Sequence, residues 1–212
     1  MDGTIVDTEP YWMSAERNLV REHGGTWTAE DAESVIGSDL WTAARVFQRH
    51  GVELPEDAIV QQLSDSVLAQ ITERVPWRPG AQQLLRELYD NQVPCVLVTM
   101  SLGPMARYVV DAIDFPAFTA IITGDLVTHG KPHPEPYRMG AARLGLSPRE
   151  CVAIEDSLTG LASAVASGAT SLAVPAHQHI PAGEGYTVWP TLEGRTLADL
   201  STLHAATSTK AS

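Results

Sequence analysis

At 212 residues and 44% hydrophobic content the chain can bury one sizeable core, alone or with an inserted subdomain, and whole-chain disorder is excluded. Fourteen Lys and Arg against 26 Asp and Glu give a net charge of −12 spread along the chain. Nucleic acid and anionic membranes are therefore poor partners, and an anionic substrate needs a local cation, either a metal ion or a placed Lys. Cys95 and Cys151 stand far apart among apolar neighbours and read as buried thiols in a reducing cytoplasm. No apolar run reaches the roughly 20 residues that span a bilayer, and the acidic N-terminus is unlike a signal peptide.

In chain order, an α/β pattern begins at Met1 to Thr4 and is then interrupted. From Tyr11 to Trp77 the apolar residues recur at helical spacing (Ala15, Leu19; Ala43, Val46, Phe47; Ile59, Leu63, Val67, Ile71) with no convincing strand. This stretch is expected to be a helical insertion, hinged near Thr8 to Pro10 and Val75 to Pro79. Gly24-Gly25 and Gly51 read as turns after helices. The expected domains are residues 1–10 and 78–212 as an α/β core and 11–77 as a helical subdomain. After Pro79-Gly80 a helix carries Leu84, Leu85 and Leu88, followed by a buried strand over Val93 to Val98. Then the unit repeats: helix Met105 to Ile113, strand Phe118 to Ile122, helix Pro134 to Leu144, strand Cys151 to Ile154, helix Leu158 to Ser167, strand Ser171 to Val174. The fold class is α/β, a Rossmann-like doubly wound parallel sheet. The Ser-, Thr- and Ala-rich tail from Ser201 is expected to fray.

Four polar segments fall at or just past predicted strand ends, where ligands bind in open α/β sheets. They are Asp2-Gly3-Thr4 with Asp7, Thr99-Met100-Ser101, Lys131-Pro132, and Glu155-Asp156-Ser157. Glu155 and Asp156 are adjacent carboxylates directly after an apolar strand, which repel each other unless a cation lies nearby. A helix cap accounts for Asp156 and Ser157 but leaves Glu155 without a reason. Thr99 alone reads as a buried strand-end residue and Lys131 alone as a solvated loop residue. Pro132 and Pro134 fix where Lys131 points.

The stretches MDGTIVDTEP, RPGAQQLLREL, VLVTMS, GKPHPEPY and VAIEDSLTGLASAVASG, in this order and spacing, resemble the haloacid dehalogenase superfamily over nearly the whole length. The similarity is to the branch with an inserted helical cap that includes the β-phosphoglucomutase-like phosphatases. The resemblance implies a Mg²⁺-dependent phosphatase of a small phosphorylated metabolite, such as a sugar phosphate, working through an aspartyl phosphate. It makes Asp2 the general acid and base, with its main-chain carbonyl a Mg²⁺ ligand. Thr99, Met100 and Ser101 would bind the transferring phosphoryl group through a hydroxyl and main-chain N–H groups. Lys131 would neutralise it, Asp156 would ligate Mg²⁺, and Glu155 would ligate the ion or hold a water on it.

The family pattern places the nucleophilic Asp one residue before Met1, at the end of an apolar strand. The expectation is that the protein begins upstream, with Met1 the middle of an Asp-Met-Asp motif; the alternative is a truncated, inactive chain. Loss of that central strand would open the core and expose strand edges. Asp2 as substitute nucleophile would require a shift of register. The functional alternatives are a phosphosugar mutase, whose cap should carry cationic phosphate contacts, and a degenerate non-catalytic protein of the same fold. The insert has Arg17, Arg21, Arg45, Arg49 and Arg74 but no Lys, which does not decide between them. The partner is expected to be a small molecule and the chain a monomer or weak homodimer. His129 and His133 flank Lys131, but with no third soft ligand at a sensible spacing they read as shaping the loop. His177 and His179 read as an exposed loop pair, and Trp12, Trp27, Trp41 and Trp77 as packing in or beside the insert.

Overall fold

The computed structural model describes residues 1–35 and 38–210. Contacts divide the chain into two units, one of Met1–Asp7 with the chain from Trp77 onward, the other Thr8–Pro76. Among the described residues the second holds the helices α1 (Glu9–Glu22), α2 (Ala29–Val35), α3 (Leu40–Arg49) and α4 (Glu56–Glu73) and no strand. Pro10 lies in the first turn of α1, where a missing N–H costs nothing. Asp39 caps α3 by accepting the N–H groups of Trp41 and Thr42 at 3.1 and 2.9 Å. Ile59, Leu63, Val67 and Ile71 recur every four residues and form one buried stripe along α4, against which α1 and α3 pack. The Trp27 ring lies 4.7 Å from Phe47 and 5.1 Å from His50, whereas Trp41 is tied near the surface through its Nε1–H to Asp57 at 2.7 Å. Trp77 belongs to the other unit, paired antiparallel with Val6.

That other unit runs α5 (Ala81–Asp90), β1 (Val96–Val98), α6 (Gly103–Asp111), β2 (Ala120–Ile122), α7 (Glu135–Arg143), β3 (Val152–Glu155), α8 (Leu158–Ser167), β4 (Thr170–Ala173), β5 (Tyr186–Val188) and α9 (Leu197–Lys210). Every strand pair is parallel: Leu97 opposite Ile121, Ile154 opposite Leu172, and Leu172 opposite Thr187. The fold is α/β. Helix α7 packs on β1 and β2 and against α8, which packs on β3 and β4; α9 packs on β4 and against α5.

Met1 to Thr4, where the α/β pattern begins, form a turn, with the N–H groups of Thr4, Ile5 and Val6 all reaching the Met1 carbonyl. Two expectations are corrected. The tail from Ser201 continues α9, begun by a reciprocal cap in which Asp199 accepts the Thr196 N–H at 2.9 Å and Thr196 Oγ accepts the Asp199 N–H at 3.3 Å. Leu200 is buried, and His204 Nδ1 lies 2.9 Å from Thr170 Oγ, tying the helix to the start of β4. The sheet, finally, is not continuous among the described residues: β1 pairs only with β2, and β3 belongs to a separate β3-β4-β5 sheet.

Between the unpaired edges of β1 and β3 lies a cavity of about 490 Å³, lined by Val96, Leu97 and Val98 on one side and Val152, Ala153 and Ile154 on the other, with Met1 and Ile5 contributing. Leu84, Leu85 and Leu88 of α5 and Ala141 of α7 also line it. Val96, Val98, Val152 and Ile154 are only half-buried, although a parallel sheet covered by helices on both faces buries such residues.

Candidate active site

Strand ends and the turns after them place the polar residues. Thr99 follows β1 and its N–H extends the pairing to the Ile122 carbonyl at 2.9 Å. Its buried hydroxyl accepts the Ser101 N–H at 3.1 Å, which folds the Thr99-Met100-Ser101 turn back on itself. Asp2, from the N-terminal turn, meets both hydroxyls: Ser101 Oγ donates to Asp2 Oδ2 at 2.5 Å and Thr99 Oγ at 3.4 Å. The Met100 backbone runs against Gly124, where a Cβ would collide with it, and its sulfur accepts the Lys131 N–H at 3.4 Å.

Lys131 reaches inward from the loop before α7. Its Nζ donates to Glu155 Oε1 at 2.5 Å and to the Val98 carbonyl at 3.3 Å, and its side chain is only 11% exposed. Glu155, the last residue of β3, is 3% exposed and also accepts a short hydrogen bond from the Tyr137 hydroxyl. Burial alone would raise its pKa, but the Lys131 charge and the hydrogen bonds from Lys131 and Tyr137 hold it below the usual carboxylate range. Gly160, on the first turn of α8, leaves room for that carboxylate; a Cβ there would overlap it.

Asp156 is the next residue. Burial, and then the negative charge of Glu155, push its pKa up to about 6. Thr4 Oγ donates to its Oδ1 at 3.2 Å. Gly3 is at φ +64° with its α-carbon against the Asp156 carboxylate, so any side chain there would be strained and would overlap it. Ser157 caps α8 by accepting the Gly160 N–H at 3.1 Å.

The structure thus brings Asp2, Thr99, Ser101, Lys131, Glu155 and Asp156 to one end of the strands, with Met100 behind Lys131. Asp7 lies apart from them, its Oδ1 2.6 Å from His177 Nε2. Tyr137 is the group that sequence reasoning missed. It stands in the first turn of α7, just past the proline-fixed loop of Lys131, and only the way that loop enters the helix turns position 137 toward Glu155.

A set of buried carboxylate oxygens suits a hard divalent cation. Asp156, buried beside Glu155 and set against Gly3, fits such a role. Glu155 is already committed to Lys131 and Tyr137 through Oε1, which leaves Oε2 as its remaining donor.

Architecture and site together define a class: α/β proteins with an acidic, lysine-bearing site at the carboxyl ends of parallel strands. Residues 1–174 match the haloacid dehalogenase-like hydrolase family, and the chain belongs to it. Hexitol phosphatase A of Escherichia coli (strain K12) is 35% identical over 182 residues, 85% of this chain and 83% of that protein. A probable pseudouridine-5'-phosphatase of Drosophila melanogaster is 31% identical over 185 residues, 82% of this chain and 79% of that protein. Among solved structures, CbbY from Rhodobacter sphaeroides in complex with phosphate superposes with a TM-score of 0.84 at 25% identity, covering 95% of this chain and 96% of that one.

Proposed function

We propose that this protein is a Mg²⁺-dependent phosphatase of a small phosphorylated sugar or polyol, working in the cytoplasm through an aspartyl phosphate, with the helical unit Thr8–Pro76 as the cap that selects the substrate. The observation that carries the reading is the buried Lys131–Glu155 pair set beside Asp156 and the hydroxyls of Thr99 and Ser101. A transferring phosphoryl group needs positive charge, hydroxyl donors and a proton-handling carboxylate, and all three meet here. Lys131 is the cation that the −12 charge of the chain otherwise lacks for an anionic substrate. Thr99 and Ser101 hold phosphoryl oxygens, and Asp2 gives a proton to the leaving oxygen and later takes one from water. Asp156, the Asp2 carbonyl and Oε2 of Glu155 would hold Mg²⁺, which supplies charge neutralisation to the phosphoryl oxygens. Both cysteines are free, and no helix among the described residues is long and apolar enough to cross a membrane.

The attacking carboxylate, on the family's pattern, ends a strand that pairs between β1 and β3. Two open parallel edges, an apolar lining and Met1 at the cavity wall support an apolar strand ending in Asp as the occupant of that slot. A second reading has its own observation: Asp2 sits against Ser101 and Thr99, where a nucleophile would, and could itself attack. The test is phosphate release from a panel of hexitol, sugar and nucleoside monophosphates with Mg²⁺ and with chelator. It uses the 212-residue chain and a version carrying an N-terminal apolar strand ending in Asp. Free phosphate from the extended chain alone supports the strand; release by both supports Asp2. Phosphate retained on sugar would indicate a mutase, and silence from both would sink the enzymatic reading.

A further inference from the structure

Outside that cluster the loop carrying Lys131 holds a second group of ligating side chains. His129 and His133 bracket Lys131 in sequence, and their rings lie 4.6 Å apart, centroid to centroid, tilted by 37°. The third member is Glu135, the first residue of α7. Its Oε2 is 2.9 Å from His129 Nδ1 and 3.9 Å from His133 Nδ1. One ligand atom from each of the three residues falls within 4.8 Å of the others. A tetrahedral ion with bonds of about 2.1 Å needs its donors about 3.4 Å apart, so small rotations of two exposed rings complete the geometry.

We infer that His129, His133 and Glu135 form a binding site for a divalent transition-metal ion of the zinc class, separate from the acidic cluster at Asp156. Two imidazoles and one carboxylate select a borderline ion such as Zn²⁺, whereas Mg²⁺ prefers an all-oxygen set and keeps its waters. The carboxylate is oriented before any metal arrives. Glu135 Oε1 accepts the Thr128 N–H at 2.6 Å and Oε2 the His129 N–H at 3.1 Å, the outer contacts that fix a ligating carboxylate. His133 Nδ1 accepts the Glu135 N–H at 3.2 Å, so an ion bound there displaces that contact and the site is weaker for it. The fourth position faces solvent. An ion held here would clamp both ends of the five-residue stretch carrying Lys131, already closed by the His133 N–H to Gly130 carbonyl bond at 3.0 Å.

The test is a Zn²⁺ titration of the full chain in excess Mg²⁺, against a chromophoric chelator, with Co²⁺ absorption as a second readout. One equivalent should bind, Co²⁺ should show the visible bands of tetrahedral coordination, and Zn²⁺ should raise the melting temperature. His129→Ala, His133→Ala and Glu135→Gln should each weaken binding by about tenfold or more. His177→Ala and His179→Ala should leave it unchanged. His129 and His133 are exposed and Glu135 is half-buried, so unchanged melting of each variant without Zn²⁺ confirms its fold. Equal affinity in the His129→Ala/His133→Ala double variant, or loss of Zn²⁺ from the wild type to excess Mg²⁺, would overturn the assignment.

Discussion

Lys131 and Glu155 form the pair on which the site's electrostatics turn. A buried carboxylate with its partner removed keeps its desolvation penalty and loses its compensation, which typically costs about 3–5 kcal/mol. Lys131→Met is therefore expected to lower stability by about 3 kcal/mol in urea unfolding and to abolish phosphate release. Lys131→Met/Glu155→Leu should regain much of the stability and none of the activity. A half-buried carboxylate tells the opposite story. Glu16 on α1 has its pKa raised to about 8, by burial first and by the charge of Glu9 second. A carboxyl that binds its proton more tightly folded than unfolded favours the fold below the unfolded pKa of about 4.5, and that contribution fades as pH rises through about 8. Glu16→Gln should thus leave stability almost unchanged at pH 4 and raise it near pH 8, by an amount on the order of 4–5 kcal/mol at about 1.4 kcal/mol per unit. A gain independent of pH would contradict the assignment.

At the level of elements, the gap between β1 and β3 dominates. Parallel strands are normally buried on both faces and paired on both edges, and here two apolar edges confront a cavity of about 490 Å³. Each apolar side chain placed in it gains about 2 kcal/mol. Ordering a residue of the incoming strand costs about 1–2 kcal/mol before its ladder hydrogen bonds are counted. An N-terminal apolar strand should therefore raise the melting temperature, and the 212-residue chain should bind a hydrophobic dye that the extended chain does not. Equal dye binding by both would mean the slot does not accept a strand. Helix α7 matters in the same way, because its contact with α8 joins the layers that cover the two separate sheets.

Across the whole molecule, elements with strong periodicity were readable from the sequence and those held by tertiary contact were not. The Leu158 to Ser167 helix has its cap Ser157 and its closing Gly168 in plain view, and the structure gives the same bounds. Strand β5 is three residues in a Gly- and Pro-rich stretch, too short for periodicity to report, and is fixed by pairing with β4. Helix α9 runs through a stretch whose Ser, Thr and Ala suggest little to bury. The reciprocal cap of Thr196 and Asp199 was a legible signal, whereas the His204 contact to Thr170 was not. For the site, strand-end position marks only the polar segments; the family resemblance singles out Asp2, Thr99, Ser101, Lys131, Glu155 and Asp156 within them, and the fold gathers these at one end of the strands. Tyr137 and the grouping of Glu135 with His129 and His133 depend on how the loop turns into α7, and spacing alone does not report that.

The central claim is that Lys131, Asp156 and the neighbouring hydroxyls form a phosphoryl-transfer site completed by a strand-borne carboxylate. The most direct measurement is Mg²⁺-dependent phosphate release from a hexitol phosphate by the chain extended with an apolar strand ending in Asp. It is read beside the same chain carrying Asn at that position and beside Lys131→Met. Turnover by the extended chain, lost with chelator, with the Asn and with Lys131→Met, is the predicted result. Turnover that survives the Asn, or Lys131→Met, would show that the chemistry lies elsewhere.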